Sequence, residues 1–82
     1  MILVEVQVPA VGQRYDFELE ESVPVELLIS EMAEVICQKE HLQMGQAAGT
    51  LNLYRKSTGT RLNRSGTLQQ NGICGGQQLI LV

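Results

Sequence analysis

The stretch Thr67-Leu68-Gln69-Gln70-Asn71-Gly72-Ile73-Cys74-Gly75-Gly76-Gln77-Gln78-Leu79-Ile80-Leu81 decides how this chain is read. Ser65-Gly66-Thr67 at its start offers a cap for one turn of helix carrying Leu68. Asn71-Gly72 and Gly75-Gly76 then bracket Ile73 as turn pairs, with the glycines free to take a positive φ. Leu79 and Leu81 alternate with Ile80 and Val82, the period of a strand. A short helical turn, a tight turn and a last strand follow one another in fifteen residues.

Upstream, the period changes twice. Ile2, Val4, Val6 and Val8 alternate with Leu3, Glu5 and Gln7, so the first strand has one face for a core. Pro9-Ala10-Val11-Gly12-Gln13 interrupts it. Tyr15, Phe17 and Leu19 then alternate with Asp16, Glu18 and Glu20. The pair reads as a hairpin whose five-residue connection needs a bulge or a wide loop. Val25, Leu28, Ile29, Met32, Val35 and Ile36 next fall on one face of a helix expected over residues 23–41. Pro24 suits its first turn and Ser22 is a candidate cap. Glu26 near its start and Lys39 near its end both suit the helix dipole. A loop over residues 43–49, with Gly45 and Gly49, leads to a third strand in which Leu51 and Leu53 alternate with Asn52 and Tyr54. Ser57-Thr58-Gly59 is a turn, and Arg61-Leu62-Asn63 a very short fourth strand.

With 82 residues there is room for a single domain, residues 1–82. A hydrophobic share of 44% with only three rings, Tyr15, Phe17 and Tyr54, predicts an aliphatic core. The expected core is Ile2, Val4, Val6, Phe17, Leu19, Leu28, Ile29, Met32, Leu51, Leu53, Leu68, Ile73, Leu79 and Leu81. The longest apolar runs have four residues, far short of the ~20 that span a membrane, so no direct membrane insertion is expected. The start of the chain lacks a basic lead and does not read as a signal peptide. Cys37 and Cys74 are too few for a disulfide framework and read as two reduced thiols of a cytoplasmic protein.

Charge is segregated along the chain. Residues 1–40 hold all nine acids and two bases, a balance of −7, while residues 41–82 hold Arg55, Lys56, Arg61 and Arg64 and no acid, a balance of +4. A dipolar surface follows if the halves occupy different faces.

The order hairpin, long helix, strand, short strand, helical turn, strand is that of a β-grasp. The quoted stretch resembles the closing motif of the ubiquitin-like family, in which a Thr-Leu turn, a Gly-Ile step and a further Gly precede an alternating last strand. The fold this implies is α+β: a mixed sheet of four to five strands packed on one long helix, plus a short helical turn. The compact hairpin with Tyr15-Asp16-Phe17, Pro24 at the helix start and the absence of a tail after Val82 make the chain most similar to the bacterial YukD/EsaB-like proteins. That resemblance implies a cytoplasmic accessory factor of a type VII secretion system, with a component of the secretion machine as protein partner.

A covalent ubiquitin-like modifier needs Gly-Gly on a flexible tail, whereas Gly75-Gly76 precede the last strand and Val82 would be held in a ladder. Cys37 and His41 stand four apart on a helix, the spacing of a thiolate pair, but with no orienting acid or oxyanion donor in view; they read as a border thiol and a surface imidazole, not catalytic residues. Cys37, His41 and Cys74 make at most three ligands, too few for a zinc site, and no phosphate-binding glycine motif occurs, so neither metal nor cofactor is expected. The four bases have only Tyr54 nearby as an aromatic and the chain as a whole is acidic, which argues against nucleic acid.

Protein binding remains. If Leu51, Leu53, Leu79 and Leu81 face the helix, then Asn52, Tyr54, Ile80 and Val82 face outward, as does Leu3 on the first strand. With Val11 at their margin these residues form a candidate apolar patch on the sheet, the face that ubiquitin-like domains commonly use. A second candidate surface is the basic edge Arg55, Lys56, Arg61 and Arg64, which could meet the acidic helix of a neighbour in weak self-association.

Overall fold

The computed structural model of the chain describes residues 1–41 and 50–82, and the loop expected over 43–49 lies outside them. Strand β1 (Ile2–Val8) and strand β2 (Gln13–Leu19) form an antiparallel hairpin with Ile2 opposite Leu19 and Val8 opposite Gln13. Their connection is neither a bulge nor a wide loop but a 3-10 turn, Pro9–Val11, closed by the Gly12 N–H donating to the Pro9 carbonyl at 3.1 Å. Helix α1 runs over Val25–Glu40. Strands β3 (Leu53–Arg55), β4 (Thr60–Arg61) and β5 (Gln78–Leu81) complete one sheet in the order β2-β1-β5-β3-β4. β5 is parallel to β1 and antiparallel to β3, so the sheet is mixed and its last strand is central. This is the expected ubiquitin-like β-grasp.

Alternation along the strands delivers the core. Val4, Val6, Val8, Leu19, Leu53, Leu79 and Leu81 are buried against Val25, Leu28, Ile29, Met32, Ala33 and Ile36 of α1. Leu62, Leu68 and Ile73 close the end of that layer. Ile2, Phe17 and Leu51, expected inside, are half-buried and pack on its edge. Phe17 lies on β2, an outer strand, and is covered from fewer sides. Val35, at the flank of the helical stripe, is 36% exposed.

The start of α1 is held by distant backbone. Pro24 occupies the cap position and lends no side chain; the Ser22 hydroxyl donates instead to Glu20 at 3.0 Å. The free N–H groups of the first turn meet carbonyls of the segment before β5: Val25 donates to Gly66 at 2.8 Å and Glu26 to Arg64 at 3.1 Å. Gln69 N–H donates back to the Glu21 carbonyl at 3.3 Å.

That closing segment is a hydrogen-bonded knot. Thr67 Oγ1 accepts from Gln70 N–H and Gln70 Oε1 accepts from Thr67 N–H, both at 3.0 Å, the reciprocal pattern of a capping box. With Asn71 N–H donating to the Thr67 carbonyl at 3.0 Å, these bonds make the expected single turn. The Asn71 amide accepts from Asn63 N–H at 2.8 Å and donates to the carbonyls of Asn63 and Thr67 at 3.2 and 2.7 Å. Arg55 Nη2 donates to the carbonyls of Asn71 and Gly72, both at 2.9 Å. Gly72 has φ 73, and a Cβ there would lie 3.1 Å from Arg55 Nη2, so this position suits glycine on two counts.

At the far end of the helix, Tyr15 packs beside Phe17, ring centroids 6.0 Å apart, with Lys39 Nζ 5.6 Å from its ring centroid. The Tyr15 hydroxyl is buried without a hydrogen-bond partner among the described residues. Burial, joined by the Glu40 carboxylate, raises the phenol above its ordinary value of 10.0.

Two outcomes check this packing. Ile29→Ala and Leu53→Ala remove fully buried side chains and should each cost about 2–5 kcal/mol, most of the stability of so small a unit. Thermal melts within about a degree of wild type would refute the helix-on-sheet core. Because the Tyr15 proton is held more tightly in the folded chain, its contribution to stability is whole below 10.0 and is lost as pH rises through the raised folded value. In Tyr54→Phe protein, where Tyr15 is the sole phenol, phenolate absorbance should appear at higher pH in the native state than in denaturant. Equal midpoints would contradict the buried hydroxyl.

Candidate protein-binding face

The face of the sheet turned away from α1 is built by strand parity. Tyr54 pairs with Ile80 on one side and Arg61 on the other, Ile80 pairs with Gln7, and Gln7 with Arg14. Pleating places partners on the same face, so Arg14, Gln7, Ile80, Tyr54 and Arg61 form one row across all five strands. Tyr54 and Ile80 are half-buried and Arg61 is exposed. Beyond Ile80 the Val82 backbone exchanges two hydrogen bonds with Asn52, at 2.6 and 3.0 Å, and its side chain is 46% exposed. Asn52 Nδ2 donates to the Thr50 carbonyl at 3.3 Å. Asn52, Tyr54, Ile80 and Val82 are thus brought together.

Leu3 and Val11 stand apart from them. Leu3 is 54% exposed, but its carbonyl accepts from Gly76 N–H at 2.7 Å, four residues short of Ile80 and about 13 Å away along the strand. Glu5 and Gln78, paired with each other, lie between. Val11 is half-buried and packs on the core through the 3-10 turn.

The basic residues divide likewise. Arg55 pairs with Leu79 and so points to the helix side, where it holds the closing segment. Arg64 is half-buried and donates to the Leu51 carbonyl at 3.0 Å. Lys56 and Arg61 are exposed, with Lys56 N–H donating to Gln78 at 3.1 Å beside the Tyr54 row. On the opposite flank Arg14 stands 3.7 Å from Glu5, an exposed pair of little energetic weight. The candidate face is therefore apolar at Tyr54, Ile80 and Val82 and basic at Lys56 and Arg61. Gln7 and Gln78 complete it; their outward parity was readable, but their neighbours required the β1–β5 register.

The remaining reactive groups lie elsewhere. Cys37 is half-buried, Cys74 is exposed, and His41 is exposed at the helix end with φ 55, donating its N–H to the Cys37 carbonyl. His41 thus closes the helix in a left-handed conformation, outside its regular geometry. Among the described residues no group of His, Cys, Asp and Glu is placed to hold a metal, and no helix is long and apolar enough to cross a membrane.

Comparison with known proteins follows the same outline. No curated protein matches the chain in sequence. The N-terminal ubiquitin-like domain of the 4931431F19Rik protein is similar in structure with a TM-score of 0.70 and 26% identity, covering 99% of this chain and 72% of that one. Ubiquitin of Caldiarchaeum subterraneum is similar with a TM-score of 0.68 and 20% identity, covering 98% of this chain and 89% of that one. A family model described as WXG100 protein secretion system (Wss), protein YukD, matches residues 3–81. A match that leaves out only the first two residues and the last one shows that this chain belongs to the YukD family.

Proposed function

We propose that this chain is a non-catalytic, non-conjugated protein-binding module, a cytoplasmic accessory factor of a type VII secretion system that engages a component of the machine through the outer face of its sheet. The observation that carries this reading is the row Gln7, Ile80, Tyr54 and Arg61, where an aromatic and an aliphatic side chain sit on the two strands of an antiparallel pair with cations at the rim. Such a centre-and-rim arrangement, a large apolar anchor beside fixed charge, is the composition of a binding hot spot. Membership of a family described by a secretion system supports the assignment of the partner.

One feature supports non-covalent action over the alternative, a covalent modifier: Gly75-Gly76 form a turn before β5 in which the Gly76 N–H donates to the Leu3 carbonyl, so this di-glycine is held against β1. The half-burial of Cys37 and the exposure of His41 at the helix end support the non-catalytic reading.

The test is a pull-down from the source cell with wild type, Tyr54→Ala and Ile80→Asp proteins, each first shown to be folded. Wild type should retain a secretion component, and both variants should lose at least about tenfold of it. Equal capture by the folded variants would overturn the sheet-face reading. Boil-resistant higher-mass species joined through the chain's terminal carboxylate would establish the modifier instead.

A further inference from the structure

The helix carries a surface that complements the sheet face. Leu27 is 53% exposed on the solvent side of α1, and Glu31 and Glu34 are exposed beside it. Leu27 and Glu31 are four residues apart, about 6 Å along the helix axis on one face. On the sheet, Arg61 lies directly across from Tyr54, and Lys56, the first residue past β3, donates its N–H to the Gln78 carbonyl beside that row. An apolar group with anions beside it thus faces outward on one side of the molecule. An apolar group with cations beside it faces outward on the other.

From this we infer that the occupant of the sheet face is a second copy of this chain: α1 of one copy lies on β3, β4 and β5 of the next, with Leu27 against Tyr54 and Ile80 and with Glu31 and Glu34 against Lys56 and Arg61. The inference rests on the sheet face being a binding surface. The two patches point to opposite sides of the molecule because α1 packs on the inner face of the sheet. Contact between unlike patches is heterologous, so it does not close on itself as a two-fold dimer and extends head to tail with concentration. The contact is weak, because its ion pairs are exposed and screened over about 8 Å at 0.15 M salt. It therefore yields to a tighter partner on the same face.

Charge exchange tests this directly. Sedimentation velocity is run over a range of concentrations at low and high salt on wild type, on a sheet variant, Lys56→Glu with Arg61→Glu, and on a helix variant, Glu31→Lys with Glu34→Lys. Wild type should grow beyond a dimer at low salt and revert to monomer as salt rises. Each variant alone should be monomeric, its dissociation constant raised roughly tenfold or more by charge reversal. The two variants mixed should associate again, since each supplies the charge that the other now needs. A misfolded variant would not show that rescue. Wild type monomeric throughout, variants that assemble as wild type does, or a mixture that stays monomeric would each overturn the inference. Loss of the secretion component by Ile80→Asp, read separately, would leave the partner-binding face standing in that event.

Discussion

The first turn of a helix leaves backbone N–H groups without partners inside the helix, and in this chain the remedy lies some forty residues downstream. The amides of Val25 and Glu26 donate to the carbonyls of Gly66 and Arg64. To present those carbonyls the segment before β5 must hold one shape, and Asn71, the Thr67–Gln70 pair and Arg55 hold it. The same segment then feeds β5 into the centre of the sheet between β1 and β3. Helix start, closing knot and central strand are therefore one coupled structure.

That coupling divides the surface. Arg55, and the single turn at Thr67, work on the helix side of the sheet. The outer side is left with Tyr54, Ile80 and Val82 and with the exposed cations Lys56 and Arg61. Of the acids of the first half, Glu26, Glu31 and Glu34 are exposed on α1, whereas Glu5, Asp16 and Glu18 share the outer face of the sheet with the cations, toward its hairpin side.

Much of this was legible in the residues because strands and helices carry their own periods. Alternation at Ile2–Val8 and at Leu79–Val82, and the helical spacing from Val25 to Ile36, place the elements and most of the core. Tyr54 and Ile80 were legible as outward by the same parity. Parity alone would also have set Arg55 apart, since it shares the side of Leu53. What could not be read locally depends on register or distant contacts. Leu3 shares the outward parity of Ile80, but the parallel pairing of Glu5 with Gln78 slides them apart. Ser22 stands at a cap position by sequence, whereas the partners of the helix start come from Arg64 and Gly66. Leu27 falls outside the apolar stripe, so a search for the core passes over it.

The proposed contact with a secretion component lies on the Tyr54–Ile80 side of the sheet. A photo-crosslinking residue placed at position 54, and in a second protein at Gln38 on the exposed side of α1, tests it inside the source cell. The account predicts a crosslink to a secretion component from position 54 and none to that component from position 38. A crosslink to that component from position 38, with none from position 54, would contradict it.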